Sequence, residues 1–133
     1  MTLLALIRHA PTTWNAEGRL QGRRDTPLSE DGKAALQTWA APKALAAFDW
    51  VASPLGRTRE TARHLTGRPV QTDPRVIEMD WGEWEGRTRK ELSESLGDDF
   101  QENETRGLDF TPPGGESPRM VQARLASFLL EIG

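Results

Sequence analysis

The chain has 133 residues, no cysteine, and 17 basic against 20 acidic side chains, for a net charge of −3. This composition excludes a disulfide scaffold, a cysteine nucleophile and a thiolate metal site, and it gives no overall attraction to nucleic acid or anionic membranes. A chain of this length buries roughly two-thirds of its unfolded surface, so we expect a single domain over residues 1–133. The apolar run Leu3–Ile7 is too short for a membrane span or a signal peptide, so we expect a cytoplasmic protein.

The first predicted elements are a strand, a long loop and a helix. Leu3–Ile7 is a continuous apolar run without alternation, which is typical of a strand buried on both faces of a parallel sheet. Residues 10–28 form a long polar loop, and its side chains Trp14 and Leu20 indicate a packed loop that has a function. Ser29 is a good N-cap, so a helix is expected to begin there.

A second strand and two more helices are predicted next. Trp50–Ala52 predicts the strand, and residues 57–66 predict a helix. Residues 69–72 form at best a short edge strand. Thr88 and Glu91 have the spacing of a capping box, which predicts that another helix begins there.

The last predicted helix is capped by Ser117 and has Pro118 at its first position. Its apolar residues share one face: Val121, Leu125, Phe128 and Ile132. Strands alternating with helices predict an α/β fold, a three-layer sandwich with a mostly parallel sheet flanked by helices. Ligands bind beyond the carboxyl ends of such strands, where this chain has Arg8, His9 and residues 53–57.

Four ordered motifs carry a family resemblance. They are the segment 8–15 (Arg-His-Ala-Pro-Thr-Thr-Trp-Asn) with Gly18–Gly22 after it, the segment 53–62, the segment 78–86 (Glu-Met-Asp-Trp-Gly-Glu-Trp-Glu-Gly), and Gly114–Ser117. Together they resemble the histidine phosphatase superfamily, the phosphoglycerate-mutase-like group, over nearly the whole chain. The family usually has glycine after the histidine, and Ala10 at that position is still small.

The resemblance implies a role for each matching residue. His9 matches the nucleophile that becomes a phosphohistidine, and Glu78 matches the proton donor to the leaving group. Arg8 and Arg57 match the guanidinium clamp around the phosphoryl group. The remaining matches touch phosphate or the rest of the substrate: Asn15, Gln21, Gly22 and, for a second substrate anion, Arg89.

The chemistry of these residue types agrees with the implied roles. A neutral imidazole can attack phosphorus and leave again, which splits one difficult displacement into two. Arginine neutralises phosphoryl oxygens through planar, paired donors. A carboxyl group beside a phosphate dianion is held protonated, because like charge disfavours ionisation, and this suits Glu78 as an acid. We therefore expect neither a metal nor a cofactor.

Simpler interpretations compete at several positions. Arg57 could pair with an acidic neighbour alone. Glu83 and Glu85 rank below Glu78 as the acid, and we expect both to be solvated. For three loop arginines a basic rim around an anionic substrate and a solvated loop face are equally supported: Arg19, Arg23 and Arg24.

The resemblance also implies a second active-site histidine, on a strand after the Gly114–Ser117 motif. This chain has only His9 and His64. His64 follows Arg57 by seven residues on one predicted helix, a rise of roughly 10 Å, so we expect a structural or surface histidine. We therefore expect the chain to be the N-terminal part of such a fold. Its first strand then has an open edge, which favours self-association.

These observations predict a phosphomonoester hydrolase that acts through a phosphohistidine on a small-molecule phosphate. The segment 81–86 resembles the phosphatase branch, which includes α-ribazole phosphatase-like and broad-specificity enzymes. A phosphoglycerate mutase remains an alternative, and so does a non-catalytic phosphate-binding protein. We expect no nucleic-acid or membrane partner, and a homo-oligomer stays open.

Overall fold

The computed structural model describes residues 1–133 and contains six α-helices and two short strands. In chain order these are α1 (Thr13–Glu17), α2 (Glu30–Gln37), β1 (Val51–Ala52), α3 (Gly56–Thr66), β2 (Gln71–Thr72), α4 (Arg89–Leu96), α5 (Asp98–Thr105) and α6 (Pro118–Ile132). Single 3₁₀ turns lie between them, at Lys43–Leu45, Pro74–Val76, Gly82–Trp84 and Gly107–Asp109. None of these helices is long and apolar enough to cross a membrane.

The sheet consists of β1 and β2, which pair in parallel with Val51 opposite Gln71 and Ala52 opposite Thr72. Helix α3 connects them, so the unit is β-α-β. The predicted α/β class and the second predicted strand are confirmed, and the expected edge strand is present as β2.

The predicted first strand over Leu3–Ile7 is wrong. No β-strand is assigned there, and its backbone forms no hydrogen bond with β1 or any other element. Its side chains are exposed, with Leu6 94% and Leu3 64% accessible. A strand buried on both faces needs a paired backbone and cover on each side. Residues 1–133 supply neither for this segment, although its apolar run is what such a strand requires.

The predicted helix starts are confirmed. Ser29 Oγ accepts the N–H of Gly32 at 2.9 Å and caps α2. Thr88 caps α4 by accepting the Glu91 N–H on its hydroxyl. The Glu91 carboxylate in turn accepts the Thr88 N–H, which completes the capping box. Ser117 caps α6, and its side chain accepts the N–H of Met120. These hydroxyls satisfy backbone donors that have no partner inside the helix.

Two helices were not predicted. Helix α1 lies inside the loop 10–28 and begins with a capping box in which Thr12 and Asn15 exchange hydrogen bonds. This Thr-x-x-Asn pattern was visible in the sequence. Helix α5 occupies an acidic segment without a clear hydrophobic pattern, and Phe100 is its only buried residue.

The buried side chains form two small clusters rather than one core. Ala10, Leu28 and Leu36 pack the site loop against α2. Trp84, Leu92 and Phe100 form the second cluster, against which Leu20, Trp81 and Phe110 also pack. Helix α6 contributes no fully buried residue. Its predicted apolar face is only half covered, and Ile132 is 40% exposed.

Candidate active site

His9 follows the apolar N-terminal segment and is held through its neighbour Ala10. The Ala10 N–H donates to Thr61 Oγ1 at 3.0 Å, and Ala10 is fully buried. The His9 Nδ1 lies 2.7 Å from the Ala10 carbonyl oxygen. Because a carbonyl can only accept, Nδ1 carries the proton, and Nε2 keeps a free lone pair. This is the tautomer that a nucleophilic imidazole requires.

The surroundings of His9 favour its neutral form. Burial lowers the pKa of His9 below its ordinary value of 6.5. The hydrogen bond to Ala10 and the charge of Glu78 oppose this change, while the positive charges of Arg57 and Arg8 add to it. At neutral pH the imidazole is therefore uncharged and available as a nucleophile.

Arg57, in the first turn of α3, is the most deeply buried charged residue, with a side chain that is 0% exposed. Its Nη2 donates to the Gly22 carbonyl at 2.7 Å, and its Nη1 donates to the Arg24 carbonyl at 2.8 Å. A buried guanidinium needs such partners, since an unpaired buried charge is very costly. The loop 10–28 is thereby tied to α3.

Arg57 also binds Glu78, through Nη2 and Oε2 at 2.8 Å. Glu78 is 39% exposed and lines the same cavity as His9. The third nitrogen of the Arg57 guanidinium, Nε, is buried and its N–H has no hydrogen-bond partner. Such orphaned donors are rare in folded proteins, so Arg57 keeps hydrogen-bonding capacity that no group of this chain uses.

Glu85 holds the backbone beside Arg57. Its Oε1 accepts the Arg23 N–H at 2.6 Å, and its Oε2 accepts the Arg24 N–H at 3.1 Å. The expectation that Glu85 is solvated is wrong, because both carboxylate oxygens are used. Glu83 is exposed and its side chain makes no hydrogen bond, as expected.

The predicted phosphate-contacting residues Asn15, Gln21 and Gly22 lie in the loop that carries these contacts. Asn15 Oδ1 accepts the Thr12 N–H at 2.9 Å in the α1 capping box. Gln21 is buried, and its Oε1 lies 2.6 Å from the Thr12 hydroxyl. Gly22 has φ +60° and presents its carbonyl to Arg57. All three shape the loop, and their contact with a ligand stays a prediction.

The other two predicted site residues differ in position. Arg8 is exposed, forms no ion pair, and lines the same cavity as His9. Arg89 lies at the start of α4, where it pairs with Glu104 at 2.6 Å and stands over the Phe100 ring. Its hydrogen-bond partners are on α5, so the structure does not bring Arg89 to the group formed by His9 and Arg57.

Two of the loop arginines are already paired. Arg19 binds Glu17 at 2.6 Å and Glu91. Arg23 donates through Nε to the Glu78 carbonyl at 2.9 Å and through Nη2 to Glu116 at 3.0 Å. A free basic rim is therefore wrong for these two. Arg24 is exposed and stacks on Trp14, with 5.5 Å between its Cζ and the ring centroid.

Glu116 supports the candidate site, although sequence reasoning assigned it no role within the Gly114–Ser117 motif. It accepts hydrogen bonds from Arg23, Arg124 and the Asp80 N–H. Burial acts to raise the pKa of Glu116, but the Arg124 and Asp80 hydrogen bonds outweigh it and hold the pKa below its ordinary value. Glu116 thus joins α6 to the loop segments around Glu78.

A cavity of about 840 Å³ opens beside this group. Arg8, His9 and Glu78 lie on its wall, and the rest is mainly apolar, from the N-terminal segment, β1, α3 and α6. His64 is half-buried, makes no side-chain hydrogen bond and does not line the cavity. No cluster of three or more histidine, aspartate or glutamate side chains could hold a metal ion.

Comparison with known proteins agrees with this arrangement. The model of the histidine phosphatase superfamily (branch 1) matches residues 4–133. The chain belongs to this superfamily. A probable phosphoglycerate mutase GpmB from Cronobacter sakazakii is 40% identical over 134 residues, which cover 94% of this chain and 60% of that protein. Phosphoserine phosphatase 1 from Hydrogenobacter thermophilus is 36% identical and is matched over 99% of this chain and 64% of its own length.

Among solved structures, the α-ribazole phosphatase from Shigella flexneri superposes on this chain with a TM-score of 0.78, and the two sequences are 28% identical. The match covers 93% of this chain and 63% of that one. The chain therefore spans less than two-thirds of the length of these three relatives. Their names cover mutase and phosphatase reactions on different small molecules.

Proposed function

We propose that this chain carries the phosphoryl-binding and nucleophilic part of a phosphatase site that acts on small phosphomonoesters. One observation supports this most directly. Arg57 is completely buried, and its Nε–H points to no acceptor within the chain. Close by is a neutral histidine whose Nε2 lone pair is free. An anion that fills the place beside Arg57 would meet a nucleophile.

In the first proposed step, His9 Nε2 attacks phosphorus and the bond to the ester oxygen breaks. The incoming phosphoryl group displaces the Glu78 carboxylate from Arg57, and Glu78 takes up a proton from solvent because the neighbouring phosphate dianion disfavours its ionised form. Glu78 then gives this proton to the leaving oxygen. Water then attacks the phosphohistidine, gives its proton to Glu78, and frees His9 and inorganic phosphate. Arg57 neutralises charge on the phosphoryl oxygens throughout, which is the main requirement of this chemistry. No step needs a metal or a cofactor.

The substrate class is a small-molecule phosphate, with the 1–133 unit acting as one domain. Hydrolysis is favoured over mutase transfer by the segment 81–86, as the sequence resemblance implies. In a mutase the phosphoryl group would return to a second hydroxyl instead of water. Product analysis with 3-phosphoglycerate and a bisphosphorylated primer separates the two reactions.

A phosphate-binding protein without turnover is the second candidate. It is favoured by the absence of an imidazole other than His9 around the cavity, since His64 lies elsewhere. Binding needs the guanidinium and an open place for the anion. Turnover also needs stabilisation of the transferring group, to which a second histidine would contribute.

Labelling with a ³²P-phosphomonoester tests the proposal. We expect an acid-labile, base-stable adduct on His9, absent from His9→Ala and unchanged in His64→Gln. His64 is the matched control because it is the same residue type outside the cavity. Label on a serine, or hydrolysis without any adduct, would contradict the mechanism. Phosphate binding without adduct or turnover would favour the second candidate.

A further inference from the structure

One peptide unit connects Glu85 to Arg57. The N–H of Arg23 and the carbonyl of Gly22 belong to the same trans peptide, so they point in opposite directions. The N–H donates to Glu85 Oε1 at 2.6 Å, and the carbonyl accepts Arg57 Nη2 at 2.7 Å. The turn at residues 22–24 is therefore held between a carboxylate on one side and a guanidinium on the other.

A second pair of contacts lies one residue later, on the two peptide units that flank the Arg24 Cα. The Arg24 N–H donates to Glu85 Oε2 at 3.1 Å, and the Arg24 carbonyl accepts Arg57 Nη1 at 2.8 Å. Hydrogen bonds to a charged acceptor are roughly twice as strong as neutral ones, and bonds in a chain polarise one another. Both guanidinium nitrogens that anchor Arg57 thus depend on a turn whose shape Glu85 sets.

Gly22 makes the close approach of Glu85 possible. Its φ of +60° lies in the left-handed region, and a Cβ there would stand 2.2 Å from Glu85 Oε1. Any side chain at position 22 would expel the carboxylate. Gly22 and Glu85 therefore depend on each other: the carboxylate can bind the turn only while position 22 has no side chain.

We propose that Glu85 is a positioning residue for the anion site, which orients Arg57 so that its unpartnered Nε–H faces the bound phosphoryl group. This role rests on the proposed function. The role predicts that removing the negative charge of Glu85 changes anion affinity in the direction opposite to that expected from charge alone. Removing a negative charge near an anion site should by Coulomb's law strengthen anion binding. Loss of positioning should weaken it.

The test compares Glu85→Gln with Glu83→Gln in the full 133-residue chain, using inorganic phosphate as the probe. Glutamine keeps the size of Glu85 but offers one acceptor and sets an amide group against the second N–H. Glu83 is the matched control, since it is exposed and its side chain has no hydrogen bond. We expect roughly tenfold weaker phosphate binding for Glu85→Gln, as for loss of a charge-assisted hydrogen bond, and unchanged or tighter binding for Glu83→Gln.

Two further readouts separate positioning from a general loss of structure. In ¹H–¹⁵N spectra of the free protein, Glu85→Gln should speed hydrogen exchange at the Arg23 and Arg24 amides and at the Arg57 guanidinium, with other amides unchanged. With p-nitrophenyl phosphate, KM should rise more than kcat falls. Wild-type exchange at these groups, or wild-type phosphate affinity, would overturn the role. If the parent chain binds no phosphate, the proposed function fails, while the exchange data still decide whether Glu85 positions Arg57.

Discussion

Thr61 receives the N–H of Ala10 on its hydroxyl at 3.0 Å, and the same hydroxyl donates to the Arg57 carbonyl at 2.8 Å. Thr61 lies one helical turn after Arg57, on the same face of α3. A single side chain thus fixes the distance between the helix that carries the arginine and the segment that carries His9. The relative position of nucleophile and clamp depends on this hydroxyl.

Thr61→Val should lower the free energy of unfolding by about 1–3 kcal/mol, because valine has the same shape but leaves the buried Ala10 N–H without an acceptor. It should also reduce turnover, since the His9 segment is no longer held at α3. Chemical denaturation measures the first effect. Thr38→Val, at an exposed C-cap, is the control and should change little. Equal stability of the Thr61→Val variant and the parent protein would argue against this anchoring role.

Arg57→Lys should reduce phosphatase turnover by at least roughly a hundredfold, because lysine keeps the charge but loses the planar set of donors. The three donors of an ammonium lie on one nitrogen, so they cannot reproduce the planar spread by which the Arg57 guanidinium would serve the Gly22 and Arg24 carbonyls and a phosphoryl oxygen together. Arg59→Lys is the control, because Arg59 lies on the same helix but is exposed and its side chain makes no hydrogen bond. Steady-state kinetics decide the matter, and similar kcat/KM values for both variants would exclude Arg57 from the clamp.

The lowered pKa of His9 has a definite effect on stability. Below the ordinary value of 6.5, the unfolded chain binds a proton at this residue that the folded chain does not. Stability therefore falls as pH decreases below that value and is regained as pH rises. His9→Asn should flatten this dependence, whereas His64→Asn should not. Urea titrations between about pH 5 and 7.5 measure it, and parallel curves for the parent and His9→Asn would contradict the assignment.

The exposed apolar segment should make the 133-residue chain self-associate. Leu3, Leu4 and Leu6 are all more than half exposed, and the backbone of this segment is unpaired. Leu6→Asp should shift the chain towards monomer in sedimentation velocity. Leu108→Asp makes the same change on an exposed leucine that does not line the cavity, and it should leave association unchanged. A monomeric parent chain would show that the exposed segment does not drive association.

The sequence predicted helix starts well, because a single capping residue determines where each of these helices begins. Ser29, Thr88 and Ser117 begin helices because a hydroxyl followed by free backbone donors needs no distant partner. The strand at residues 3–7 failed because strand formation depends on neighbours, and an apolar run contains no information about whether they are present. Of the motif positions, Arg57 and Glu78 form an ion pair, and His9 and Glu78 lie on the wall of one cavity. Their catalytic roles stay predictions.

The contacts that support the site were harder to predict. Glu85 and Glu116 look like ordinary surface carboxylates in the sequence. Apart from Arg124, which is 8 residues from Glu116, their partners are backbone groups and an arginine that lie 36 to 93 residues away. Arg89 matched a family position only loosely, and its nearest carboxylate on α5 holds it instead. Long-range hydrogen bonds of this kind follow from the fold and leave no periodic pattern along the chain.

The ion pair between Arg57 and Glu78 has a consequence for selectivity. The protein itself supplies a negative charge to Arg57, the Glu78 carboxylate at 2.8 Å. A ligand with a single negative charge, such as a phosphodiester, a carboxylate or a sulfate ester, brings no more charge than the group it must displace. A phosphomonoester near neutral pH carries close to two charges and three strong acceptor oxygens. If the proposed function holds, Glu78 favours ligands that carry more than one negative charge, and we expect phosphomonoesters to displace it from Arg57 more readily than these singly charged ligands do.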